Sequence, residues 1–132
     1  MPFLYHPLVV HFPVALWLTS FLFDLLYLRR KEAFFARASG ALIGLGLLAA
    51  AVSIVSGFMD YRPLVAAGVG QAFIDQHRVH SLMAYASTLL YLVILLIRRR
   101  PRSTTVYVAP AVIAAVLIAI TGYLGGEIRR VM

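Results

Sequence analysis

Long apolar stretches alternate with short polar segments along this chain, and the pattern repeats four times. Each stretch approaches the roughly 20 apolar residues that a helix needs to cross the hydrocarbon layer of a membrane. None of them alternates apolar and polar residues with a period of two, which excludes the strands of a membrane β-barrel. The pattern predicts helices at about residues 7–28, 38–60, 76–97 and 106–126.

The short loops between these segments predict how the helices are arranged. Helices joined by only a few residues pack as antiparallel neighbours. We therefore expect an all-α fold, a transmembrane four-helix bundle with up-down-up-down topology, formed by a single integral-membrane domain over residues 1–132. The N-terminal stretch lacks the basic flank and the cleavage site of a removable signal peptide, so we expect it to remain as a span.

Composition supports a membrane protein and excludes several other classes. Hydrophobic residues make up 62% of the chain and charged residues 13%, which is about half the charged fraction of a soluble domain. The net charge of +7 comes from arginines at the ends of apolar stretches, so we expect the partner to be a lipid bilayer and not a nucleic acid. The absence of cysteine excludes disulfides, thiolate metal sites and covalently attached haem.

The positions of the basic residues indicate the orientation of the bundle. Eight of the twelve lie in the first and third loops, which the positive-inside rule assigns to the cytoplasm. This predicts a multi-pass protein of the bacterial cytoplasmic (inner) membrane with both termini outside the cytoplasm. Asp24 lies near the cytoplasmic end of the first helix, where we expect it to pair with Arg29 or Arg30.

Six ionisable side chains fall at the opposite, outward ends of the helices. The histidines belong to the first and third helices, and one acidic residue ends each of the other two. Antiparallel topology therefore brings residues from the whole chain to one membrane face. Ionisable groups within a membrane are rare and usually functional, so we treat these residues as a candidate functional site. The six residues are His6, His11, His77, His80, Asp60 and Glu127.

Helix geometry predicts which histidines lie deepest. If Asp75 caps the third helix and His6 caps the first, His80 and His11 are both the fifth residue of their helices. At about 1.5 Å of rise per residue they lie at equal depth, whereas His6 and His77 lie nearer the surface. His11 and His80 are thus the predicted inner pair.

One histidine from each of two facing helices is a common way to hold haem b without covalent attachment. We expect His11 and His80 as axial iron ligands, with His6 and His77 as further haem-binding residues. The small residues Gly57, Gly122 and Gly125 leave room for a flat macrocycle. Four arginines at the outward face are candidates for binding the propionates, namely Arg62, Arg78, Arg129 and Arg130.

Three other interpretations of the cluster remain open. A bare zinc, copper or non-haem iron ion suits imidazole and carboxylate ligands drawn from the four histidines, Asp60 and Glu127. The same groups suit a proton or ion transport subunit. They also suit a scaffolding subunit, in which they only cap helices and bond one another. Hydrolytic and nucleotide-binding motifs are absent, so an electron carrier or binding module is favoured over a catalyst.

Several motifs resemble one known family along nearly the whole chain. The opening segment HPLVVHFP (residues 6–13), the end of the second helix GFMD (57–60) and the closing segment GYLGGE (122–127) are similar to the signatures of the domain-of-unknown-function 2231 family of bacterial membrane proteins. The resemblance implies a four-span fold. It also implies that the matched positions matter, namely His6, His11, Asp60, His80 and Glu127.

The resemblance further implies a redox setting. Members of the family are similar to modules found beside Rieske or c-type cytochrome domains. This setting agrees with the haem that the histidine positions suggest, which we expect between the first and third helices near the extracytoplasmic face. It would exchange electrons with a quinone or with an extracytoplasmic redox protein of the Rieske or c-type cytochrome kind. Assembly into a homo-oligomer remains open.

Overall fold

The computed structural model describes residues 5–99, 105–128 and 130, and within these ranges the chain is helical without strands. A single turn, α1, continues past a break at Val10 into the long helix α2. Three more long helices follow. The elements are α1 His6–Val9, α2 His11–Arg30, α3 Ala33–Ala66, α4 Gln71–Arg98 and α5 Thr105–Ile128.

Four segments are long and apolar enough to cross a membrane, which confirms the four-span fold. They are His6–Arg30, comprising α1 and α2, and the segments Ala33–Ala66, Gln71–Arg98 and Val106–Ile128. Large apolar side chains point away from the bundle, as in Leu48, which is 69% exposed. An apolar surface of this extent is stable against lipid and not against water.

The four helices form a ring in which each contacts two neighbours. α2 packs on α3 and α5, and α4 packs on the same two helices. α2 and α4 therefore face each other diagonally across the bundle. We call the end where α1 begins and α3 ends the histidine end, and the end where α2 ends and α3 begins the arginine end.

The second and third spans extend further than their sequence pattern predicts. α3 continues to Ala66 instead of ending at Asp60, and α4 begins at Gln71 after Gly70 at its N-cap. Asp75 is therefore not a helix cap but lies inside α4, where it accepts a hydrogen bond from the Gln71 side chain at 2.9 Å. The α3–α4 hairpin consequently adds turns to α4 before His80.

An aromatic pair fills the middle of the bundle. The Trp17 indole stacks on the Tyr91 ring with 4.1 Å between centroids, and its Nε1 donates a hydrogen bond to the Ile43 carbonyl at 3.2 Å. Gly46 makes this approach possible, because a Cβ at that position would overlap the indole. α2, α3 and α4 are held together at this point.

We expect Gly46→Ala to lower the free energy of unfolding by about 1–3 kcal/mol, the usual cost of overpacking a core. The added methyl group would displace Trp17 from Ile43 and Tyr91. Gly44→Ala is the matched control, because a Cβ there meets open space, and alanine is the better helix former. Equal unfolding curves for the two variants in detergent would contradict this packing.

An ion pair joins all four long helices at the arginine end. Arg98 Nη1 donates to both carboxylate oxygens of Asp24, at 2.9 and 3.0 Å. Its Nη2 donates to the Ala36 carbonyl at 3.1 Å, and its guanidinium lies 4.3 Å from the centroid of the Tyr107 ring. The partner of Asp24 is therefore Arg98 of α4, and not the neighbouring arginines of its own helix.

Candidate functional site

A cavity opens at the histidine end, where α1, α2, α3, α4 and α5 diverge. Its volume is about 630 Å³, which is within the range of small-molecule and cofactor sites. Apolar side chains form most of its wall, and Trp17 is part of that wall. The cavity coincides with the face where the sequence predicts the ionisable cluster.

Two imidazoles lie close together in this cavity. The ring centroids of His6 and His80 are 6.0 Å apart, and their planes are inclined by 79°. His6 belongs to α1, which leads into α2, and His80 belongs to α4. The pair therefore spans the diagonal of the bundle between the first span and α4. His80 is only 5% exposed, which places an ionisable ring deep in an apolar region.

Backbone carbonyl groups orient both rings in the same way. Nδ1 of His6 lies 2.8 Å from the Ser53 carbonyl oxygen, and Nδ1 of His80 lies 3.1 Å from that of Thr121. A carbonyl only accepts hydrogen bonds, so Nδ1 is the protonated nitrogen of each neutral ring. Nε2 then carries the lone pair, and no described group bonds to it. Histidines that bind metals are commonly oriented in this way.

A glycine lies against each ring. A Cβ at Gly57 would approach Nδ1 of His6 to 3.3 Å, and one at Gly125 would approach Cε1 of His80 to 3.1 Å. Both distances are shorter than ordinary van der Waals contact. Gly57 and Gly125 therefore make space for the imidazoles themselves, whereas a Cβ at Gly122 would meet Val14 at 3.9 Å.

Asp60 holds the first turn of the chain in place. Its Oδ2 accepts a hydrogen bond of 2.7 Å from the backbone N–H of His6, and the residue is 8% exposed. The carboxylate of α3 thus caps α1 from a neighbouring helix, and its charge opposes the positive end of the helix dipole. Asp60 positions His6 through this contact.

The structure pairs His80 with His6, where the sequence pairs it with His11. His11 is exposed, although it is also part of the cavity wall. Counting residues from the predicted helix starts places His11 and His80 at equal depth. In the structure, however, α4 begins nine positions before His80. The extra turns of α4 move His80 to the level of His6. The identity of the iron ligands remains a prediction.

His77 lies on the cavity wall closer to the loop. Its ring stacks on Tyr61 with 4.1 Å between centroids and lies 5.9 Å from Phe73. The hydroxyl of Ser81 is 3.4 Å from its Nδ1. Aromatic contacts thus hold the ring beside the pair formed by His6 and His80.

Arg62, Arg78 and Glu127 are not part of the cavity wall. Arg62 and Arg78 are exposed. Glu127 forms an ion pair of 3.2 Å with Arg130, and Arg129 lies outside the described residues. Within the described part of the chain, no three His, Cys, Asp or Glu residues form a group that could hold a metal ion.

The sequence analysis missed the groups that orient the rings. Ser53 and Thr121 act through their backbone carbonyls. Because every residue has a backbone carbonyl, the residue types in the sequence do not indicate this role. One signal was available, because Ser53, Gly57 and Asp60 follow one another at intervals of four and three residues. This spacing places them on one face of a helix, and all three contact His6.

Comparisons with known proteins give one result. A family profile described as "Predicted membrane protein (DUF2231)" matches residues 3–131. Neither the curated proteins nor the solved structures include a match to the chain.

Proposed function

The chain belongs to the DUF2231 family of predicted membrane proteins, and we propose that it is an electron-transfer protein that holds one haem b between His6 and His80. The observation that carries this proposal is the close pair of imidazoles, with ring centroids 6.0 Å apart. Each ring is tied to a backbone carbonyl through Nδ1 and keeps Nε2 available. The pair lies in a mostly apolar cavity of about 630 Å³.

The separation of the rings fits two imidazoles bound to one iron ion. A metal–nitrogen bond is about 2 Å long and a ring centroid lies about 1 Å beyond its nitrogen, so two opposed rings have centroids roughly 6 Å apart. The observed separation is 6.0 Å. The observed spacing therefore matches the one that such an iron site requires.

The number of protein ligands favours haem over a bare metal ion. Porphyrin supplies four nitrogens itself, so two axial histidines complete an octahedral iron site. Structural zinc sites use four protein ligands and catalytic ones three. His6 and His80 alone therefore meet the requirement of haem. With no cysteine in the chain, the haem would be held without a covalent bond.

Two axial histidines also favour electron transfer over chemistry on a substrate. They occupy both open positions of the iron and leave none for oxygen or another reactant. The positive-inside rule supports an orientation in the bacterial inner membrane with the histidine end outside the cytoplasm. A quinone in the bilayer or an extracytoplasmic redox protein could exchange electrons with haem at this depth.

Purification from a host that supplies haem tests the function. We expect about one extractable haem b per chain and a sharp α-band in the reduced-minus-oxidised spectrum. Elemental analysis of the same sample distinguishes the alternatives. Stoichiometric zinc, copper or iron without porphyrin would contradict the proposal in favour of a metal site. A colourless protein without metal would contradict it in favour of transport or scaffolding.

We expect ferric haem in this site to give a strongly anisotropic low-spin electron paramagnetic resonance signal with one large g value. The imidazole planes are inclined by 79°. Nearly perpendicular axial rings leave the two iron orbitals that they contact almost equal in energy, whereas parallel rings split them. A rhombic signal typical of parallel imidazoles would contradict the ring geometry on which the proposal depends.

A further inference from the structure

We propose that a second cavity, at the arginine end, binds the headgroup of an anionic phospholipid. This cavity lies between α3, α4 and α5 and has a volume of about 350 Å³. Arg37 of α3, Arg98 of α4 and Arg99 directly after α4 are part of its wall. The site is at the opposite end of the bundle from the cavity at the histidine end, and the inference does not depend on the proposed function.

Two positive charges in this cavity are uncompensated. Asp24 neutralises Arg98 through the ion pair already described. Arg37 and Arg99 are exposed, and neither has an acidic partner among the described residues. The cavity therefore presents two guanidinium groups, one from α3 and one from the residue that follows α4. Guanidinium groups bind phosphate oxygens in a bidentate manner.

The wall between these two arginines is firmly held. The side chain of Arg98 is 9% exposed, and it contacts Asp24, the Ala36 carbonyl and the Tyr107 ring at the same time. Gly40 has no side chain to fill the space, and a Cβ there would lie 4.0 Å from Nε of Arg98. The part of the wall that Arg98 forms is thus held by contacts with three other helices.

The position of the recess favours a lipid over a free anion. It lies where spans end, at the level of the headgroups. Leu95 is part of its wall, and Leu92 and Leu96 of α4 are exposed beside it. A phospholipid can place its phosphate between the arginines and its acyl chains along these leucines. Free phosphate would use only the arginines.

Thermal unfolding of the full chain in neutral detergent tests this site with short-chain phosphatidylglycerol, short-chain phosphatidylcholine and inorganic phosphate as ligands. We expect only phosphatidylglycerol to raise the unfolding temperature at low concentration. In the double variant Arg37→Gln/Arg99→Gln, the concentration for half the effect should rise roughly 25-fold, about fivefold for each basic residue. The matched control is Arg29→Gln/Arg30→Gln, which removes equal charge at the same end outside the cavity.

The control variant Arg29→Gln/Arg30→Gln should show the same rise in unfolding temperature with phosphatidylglycerol as the natural chain. An equal loss in both double variants would show diffuse attraction of anions to this end and would overturn the proposal. An equal effect of inorganic phosphate would overturn the proposal in favour of a free-anion site. An equal effect of phosphatidylcholine would also overturn it, because the site would then not select anionic headgroups. Circular dichroism of each variant checks that the helices form, so that a folding defect is not taken for lost binding.

Discussion

His80→Gly is expected to abolish the six-coordinate, low-spin haem spectrum. The residue supplies the Nε2 of a buried ring that the Thr121 carbonyl orients. His6→Gly should leave iron with one axial ligand and give a high-spin spectrum. Added imidazole should restore the low-spin spectrum in both variants, since the deleted side chain leaves a space of the same shape.

His11→Gly is the matched control for these variants. It also lies at the start of the first span, but its side chain is exposed. We expect its spectrum to be that of the natural chain. A low-spin spectrum that survives in His6→Gly and disappears in His11→Gly would contradict the assignment of His6 and return the ligand role to His11.

Asp24→Leu should lower the free energy of unfolding by about 3–5 kcal/mol, the usual cost of leaving one member of a buried ion pair without its partner. Arg98 would lose two of its three hydrogen bonds in a region where its side chain is 9% exposed. Unfolding by a denaturing detergent measures this loss. Glu32→Leu is the control, because its pair with Arg30 is exposed and is worth at most about 1 kcal/mol.

The double variant Asp24→Leu/Arg98→Met should recover most of the stability lost by the single variant. Apolar residues of similar size often replace a buried ion pair without loss, because no charge remains to be desolvated. A single variant no less stable than Glu32→Leu would contradict the described contacts of Arg98. Equal losses in the single and double variants would show that the apolar replacement itself disrupts packing.

The four-span fold follows from the sequence because lipid tolerates only long apolar helices or closed barrels. The gathering of histidines and acidic residues at one end was equally predictable, since antiparallel helices return to the same face at each turn. Asp60 and His80 were recognised in this way. Neither inference requires knowledge of side-chain contacts.

The partner of each site residue was not predictable in the same way. His6 and His80 meet because the α3–α4 hairpin is longer than the apolar pattern suggests. How far one helix is shifted along its neighbour is decided by packing, which the apolar pattern does not contain. Asp24 was assigned to the nearest arginines in the chain, but its partner Arg98 is 74 positions away. Such contacts depend on which helices are neighbours and on where each one ends.

Titration of the purified, haem-free chain with haemin tests the central claim most directly. We predict a low-spin bis-histidine spectrum that saturates at one haem per chain. Fluorescence of Trp17 should fall in parallel, because this residue is the one tryptophan of the sequence and lines the cavity. Unsaturable binding, or a high-spin five-coordinate spectrum at saturation, would contradict an iron held between His6 and His80.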